Sequence, residues 1–348
     1  MRGSTRPPTR GPTRRVTDGA RAGRAGTPAQ SPALPALRVA AALAARTAEA
    51  LAVVVALASL VFFALRLLPG DPARLVLGDE ASAADLARVR ATLHLDEPLG
   101  VQYARFLRGL VTLDLGDSFR RPGTHAMGRV ADALLPTTAL AGVAVALGAA
   151  AGIAAAIAAS GPWLSPRARA WIERALVVVA AAPLVAFAPV VTWALAARAR
   201  LLPLPGDPDA GAAGLLFAGG LLAVPLAAHV GRIARASLAE AARAPFLAVA
   251  SAKGAAPWRV WVVHALPAVV GPIVTVVATQ LGALLGGAVV LERMFERWGL
   301  GSLILEAYAS RDLPVLEGAV AAAGALFVAA QVAGAALHAA VDPRARAR

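Results

Sequence analysis

Cysteine is absent from all 348 residues, and lysine occurs once, as Lys253. The first absence excludes disulfides, thiol catalysis and thiolate metal sites. The second excludes a phosphate-binding loop, which needs Gly-Lys followed by Ser or Thr. Here the single lysine reads Ala252-Lys253-Gly254, so the chain cannot hydrolyse ATP through that motif. The five histidines (His94, His125, His229, His264 and His338) are scattered, with no pair at metal-ligand spacing. No G-x-S-x-G motif and no obvious internal repeat is present. Neither a catalytic residue nor a cofactor or metal is expected.

What is abundant is aliphatic. The chain is 58% hydrophobic, with a mean hydropathy of +0.65, beyond the range of ordinary soluble domains. Six apolar runs stand out: Leu51–Leu65, Leu134–Ala159, Ala175–Ala197, Gly214–Ala228, Ala268–Val290 and Gly318–Ala340. The first extends back to Arg46 and forward to Leu68; the fourth is interrupted by Gly219, Gly220 and Pro225. Lipid leaves no backbone polar group unpaired, so such runs must be helices, and none alternates as a barrel strand would. The expected fold is an all-α integral membrane protein with six transmembrane helices.

None of the six runs contains Asp, Glu, Lys or Arg; Gln280, Gln331 and His338 are their strongly polar side chains. Ion-coupled carriers keep an ionisable or coordinating group at membrane depth. Its lack counts against a secondary carrier, and an active transporter of this composition draws its energy from another protein.

Arginine sets the orientation. Residues 1–46 hold nine Arg and one acid, Asp18. The loop 160–174 holds Arg167, Arg169 and Arg174 against Glu173, and 229–267 holds Arg232, Arg235, Arg243, Lys253 and Arg259 against Glu240. The connections 69–133 (eight Arg, nine acids) and 291–317 (three Arg, five acids) are balanced or acidic. This alternation predicts both termini and the loops after spans two and four on the cytoplasmic side. The net charge of +13 then reflects membrane orientation, and nucleic acid is not an expected partner.

Residues 1–36 are Arg-, Pro-, Gly- and Thr-rich and read as a disordered basic tail. Residues 37–133 read as the first span and a long external loop, in which "ADLARVRATLHL" and "VQYARFLRGLV" have amphipathic helical spacing. Residues 134–342 form the remaining transmembrane core, and 343–348 are a cytoplasmic basic end.

The loop before the fifth run holds the one lysine. Pro245 suits a first helical turn and Gly254 a helix stop. Between them Phe246, Leu247, Val249 and Ala250 make a short, mostly apolar surface, and Pro257 starts a second helix that enters the fifth span. Such a helix either docks into a partner's groove or lies on lipid, and physics alone leaves both open.

The spacing Gly254, nine residues, His264, one residue, Leu266, Pro267 resembles the loop E-A-A-x3-G-x9-I-x-L-P of binding-protein-dependent ABC importer permeases. Ala248, Val249 and Ala250 stand at the E-A-A positions and His264 at that of Ile; the literal Glu240-Ala241-Ala242 has no glycine at the required distance. Other segments resemble the dipeptide, oligopeptide and nickel branch of that family: "LRLLPGDPA" from Leu65, "LHLDEPLGVQYARFL" with His94 where Gly is usual, and "LDLGDS" with Leu113 for Gly. "LLPTTALA", the stretch from "LGGAVVLERMFERWGLG" to "RDLPVLEG" with Trp298 where Pro is common, and "DPRAR" follow in order, over roughly Arg46 to Arg346.

The resemblance implies the type I importer permease (MetI-like) fold in a prokaryotic plasma membrane, with a cytoplasmic coupling helix between helices four and five. It implies two ATP-binding subunits, a second and usually non-identical permease subunit and an extracytoplasmic solute-binding protein as partners, besides membrane lipid. The solute would be a peptide or a related small molecule, with nickel also carried within the branch. Phe246, Leu247, Ala250, Lys253, Gly254, His264, Leu266 and Pro267 are the expected coupling residues, and Thr137, Thr138 and Gln280 are candidates for the pore lining. The alternative is a stand-alone channel or secondary carrier with no ATPase partner.

Overall fold

Long apolar runs pair their backbone polar groups internally by becoming helices, and the computed structural model is helical throughout its regular segments. It describes residues 33–67, 73–74, 82–92 and 94–341. The tail before Ala33, the Pro69–Pro72 core of "LRLLPGDPA" and the "DPRAR" ending lie outside the described residues. Residues up to Ala44 form one contact unit, described only from Ala33; the packing below concerns Ala45 onward, a second unit.

The helices are α1 (Ala33–Leu67), α2 (Ala83–Thr92), α3 (Leu99–Thr112), α4 (Ala126–Ser160), α5 (Pro166–Ala181), α6 (Leu184–Thr192), α7 (Gly211–Ala241), α8 (Pro245–Ala252), α9 (Leu266–Met294), α10 (Leu300–Ser310) and α11 (Leu313–Val341). Among the described residues the one β-type pairing is an isolated bridge between Asp117 and His125. Four helical stretches among the described residues are long and apolar enough to cross a membrane: Ala126–Ser160, Pro208–Ala241, Pro257–Met294 and Leu313–Leu337. In α1 the stretch Leu51–Leu67 is a shorter apolar helix.

The third apolar run departs from the straight span expected over Ala175–Ala197. It is split into Pro166–Ala181 and Leu184–Arg198, which meet at 109°. Pro183 is the cause. Proline carries no N–H for the helix and drives the residue before it out of the helical region; Ala182 accordingly has φ −75° and ψ 123°. The fourth run holds together despite its glycines and Pro225, as the continuous helix α7.

The core is built on α4 and α7, which lie side by side. Leu140, Leu222, Leu226, Val230 and Leu238 are almost fully buried in it, with Ile273, Leu284 and Leu291 of α9 packed onto the same cluster. The approach of α4 and α7 is very close at Gly152. A β-carbon there would lie 2.6 Å from the Ala227 carbonyl oxygen and 2.8 Å from Val230 Cβ. Small residues are what let two membrane helices come this near. A second cluster joins the start of α4 to α10 and α11, and a third packs Ala58 and Phe62 of α1 against Phe106 of α3 and Ala321 of α11.

Candidate functional site: the loop between α7 and α9

Helix α7 ends at Ala241, and the chain turns through Ala242–Ala244, with Arg243 N–H donating to the Glu240 carbonyl (3.0 Å) and Ala244 N–H to that of Ala241 (2.9 Å). Pro245 then opens the eight-residue helix α8 at a position where no N–H is missed. Leu247 is buried (5% exposed) in the main core cluster with Leu238 and Val260, and Ala250 packs against that cluster. Phe246 and Val249 point the other way and are 46% and 52% exposed. One face of α8 is thus anchored to the helical body, while the opposite, apolar face has no cover within the described residues.

The end of α8 is set by hydrogen bonds. Ala255 N–H donates to the Ala250 carbonyl (3.2 Å) and Gly254 N–H to that of Ser251 (3.0 Å). This 6→1 and 5→2 pair is the Schellman stop, which places its C′ residue in the left-handed region. Gly254 occupies that position with φ +80°. A β-carbon at Gly254 would meet nothing within 4 Å, so only backbone conformation restricts the site.

Pro257 starts the next turn, Val260–Ala265 is a π-helical stretch, and α9 follows. Leu266 N–H donates to the Trp261 carbonyl, five residues back, immediately before Pro267. Proline cannot bond the carbonyl four residues earlier and its ring clashes there, and a widened turn relieves both.

The structure therefore divides the expected coupling residues. Phe246, Lys253 and Gly254 form the exposed rim of one loop. Leu247 and Ala250 are anchors on the inner face: in an eight-residue helix only one face can be free, and the buried one holds Leu247. His264 and Pro267 are exposed further along, and Leu266 packs on the core.

Of the pore candidates, Thr137 lies inside the helical body. Its side chain is buried, donating to Glu292 Oε1 (2.5 Å) and accepting from Leu300 N–H (2.7 Å). The hydroxyl is occupied in holding α10 to α4 and α9. Thr138 donates to the Leu135 carbonyl of its own helix (2.8 Å), and Gln280 is half-buried on α9.

The opposite end of the bundle carries a set of buried carboxylates that sequence reasoning did not single out. Glu292 Oε2 also accepts from Ser302 N–H (2.9 Å), so this carboxylate caps the first turn of α10. Asp312 accepts from Ser118 Oγ and from Phe119 N–H (3.0 Å), tying the segment before α4 to the start of α11. Glu317 pairs with Arg66 (2.6 Å). Arg66 also donates to Gln102 (3.0 Å) and sits over the Phe62 ring, joining α1, α3 and α11. The signal was present in "LER", "GDS" and "RDLP", but it names no partner.

Among the described residues no group of three or more His, Asp or Glu could hold a metal ion. His94 and Leu113, where the resembled family has Gly, both take positive φ, +56° and +55°.

Residues 136–347 match the family described as "Binding-protein-dependent transport system inner membrane component", and residues 40–126 match its N-terminal family. A putative peptide transport system permease protein of Brucella abortus (strain 2308) is 31% identical over 294 residues, covering 82% of this chain and 92% of the relative. A probable peptide ABC transporter permease protein of Sinorhizobium fredii is 29% identical over 295 residues, with the same coverage of 82% and 92%. A glutathione transport system permease protein of Salmonella paratyphi A is 32% identical over 294 residues, again 82% and 92%.

Proposed function

The chain belongs to the family of binding-protein-dependent transport system inner membrane components, and from that premise we propose that it is the pore-forming subunit of an ATP-driven importer for peptides or glutathione-like solutes. It is a multi-pass membrane subunit and not an enzyme. The relatives' names supply the solute class. On this reading it has six spans, with α1 the first and the bent α5–α6 pair the third. Both termini and the α8 loop face the cytoplasm, in keeping with the arginine asymmetry of the loops.

Its partners are two ATP-binding subunits, a second permease subunit and an external solute-binding protein. The observation that carries the reading is the construction of α8. Leu247 and Ala250 fix the helix to the core, Gly254 fixes its end, and Phe246 and Val249 are left outward. An exposed apolar helix face of this kind suits a groove on a partner. Because α8 is welded to α7 and α9, a push on Phe246 and Val249 moves the helical body rather than a loose loop. Closure of the ATP-bound pair inside would then switch the pore between outward and inward access.

Uptake into vesicles containing the full complex tests this. Labelled peptide or glutathione should accumulate only with ATP and the binding protein present. Solute flux from the chain alone, without ATP, would instead identify a stand-alone channel or carrier.

A further inference from the structure

The first turns of α5 carry a pattern that the α8 loop does not use. Arg167, Trp171, Arg174 and Val178 follow at spacings of four, three and four, which puts them on one helix face. All are exposed, Trp171 at 69% and Val178 at 68%. The Arg174 guanidinium lies 5.7 Å from the centre of the Trp171 ring. Among the described residues, neither Arg167 nor Arg174 is within ion-pairing distance of a carboxylate, and neighbouring Glu173 is engaged by Arg235 (3.0 Å). At the other end of the bundle Arg66, Arg105, Arg121 and Arg129 all have carboxylate partners.

The same residue types recur at the start of the Pro257–Met294 span, in the order Trp, Arg, Val. Arg259 lies 5.6 Å from the Trp258 ring centre, and exposed Val262 and Val263 come next. On α5 the two arginines flank the tryptophan and the bare valine follows, so charge and indole lie together at one end of the face, as in the headgroup and interface region of a leaflet, and the valine lies toward the acyl chains. A soluble anion would satisfy the guanidinium groups without engaging the bare valine beside them.

We infer that the α5 face formed by Arg167, Trp171, Arg174 and Val178 is a binding site for an anionic phospholipid, with the phosphate between the two guanidinium groups and an acyl chain along Val178. The assignment to the cytoplasmic leaflet rests on the proposed orientation; the binding does not.

The test is native mass spectrometry of the full-length chain in its complex, titrated with phosphatidylglycerol or with phosphatidylcholine of the same acyl chains. The wild type should retain phosphatidylglycerol preferentially. Each arginine at an anionic surface contributes about fivefold, so Arg167→Gln/Arg174→Gln should weaken that retention by an order of magnitude or more and leave phosphatidylcholine unchanged. Equal retention of the two lipids by the wild type would overturn the inference. So would an undiminished phosphatidylglycerol preference in the double variant. Failure of ATP-driven uptake alongside preserved lipid preference would remove the importer reading alone.

Discussion

Alanine at Gly152 should loosen the α4–α7 pair, while alanine at Gly142 on the same helix should leave that pair untouched and only firm the helix. Both substitutions gain the same intrinsic helix preference, about 1 kcal/mol. They differ in what the new methyl meets. At Gly142 there is nothing within 4 Å. At Gly152 the methyl would lie 2.6 Å from a carbonyl oxygen, 2.8 Å from Val230 Cβ and 2.9 Å from Gly231 N. Two of these are backbone atoms of α7, which cannot swing aside as a long side chain can. Overpacking of this kind costs about 1–3 kcal/mol, so Gly152→Ala should be neutral to about 2 kcal/mol destabilised, and Gly142→Ala about 1 kcal/mol stabilised. At about 2–4 °C per kcal/mol for a chain of this scale, the two unfolding midpoints in detergent should separate by several degrees, on opposite sides of or against the wild-type value. Because α7 runs directly into the turn before α8, Gly152→Ala should also reduce the response of the partner ATPase. Equal midpoints for the two variants would refute the close approach.

Three further outcomes follow from the structure. Arg66→Met should cost about 3–5 kcal/mol, since it leaves the buried Glu317 carboxylate unpaired, and Arg66→Met/Glu317→Leu should recover most of it; thermal unfolding of the purified subunit checks both, and a double variant as unstable as the single would contradict the pairing. Leu113→Gly should leave the protein neutral to about 1 kcal/mol more stable, because Leu113 is held at positive φ, where a side chain is strained; it is 67% exposed, so little packing is lost. Reporter fusions after Arg235 and after Pro314 should report cytoplasm and exterior respectively, and the reverse at either site would overturn the orientation.

Much of the architecture was legible because lipid makes hydropathy and helix nearly the same statement. The runs that became α4, α7, α9 and α11 needed no more than that, and the Pro and Gly marks at Pro245, Gly254 and Pro257 bounded α8. The bend at Pro183 was hidden, because an apolar count is blind to direction and the residues on both sides of the proline are equally oily. The inward turn of Leu247 was hidden for a related reason. In a short helix whose residues are almost all apolar, periodicity has no polar face to set against the buried one. The Thr137–Glu292 contact joins residues 155 positions apart, a pairing that neither neighbourhood announces. The substitutions at His94 and Leu113 read as departures from the family pattern, and the structure gives them a meaning. Both positions demand a left-handed backbone, and this chain tolerates that strain without glycine.

The most direct measurement compares Gly254→Val and Phe246→Ala with the wild type, in co-purification of the ATP-binding subunits and in stimulation of their ATPase activity by loaded binding protein. Valine at φ +80° stores about 1–3 kcal/mol of backbone strain in an otherwise open space, so Gly254→Val should misalign α8 and uncouple hydrolysis from transport while the subunit still inserts. Phe246→Ala should weaken association by about 2 kcal/mol, as loss of an aromatic interface anchor does, close to thirtyfold in affinity. Full association and full stimulation in both variants would mean that α8 touches only lipid, and the account of how this subunit is driven would fail.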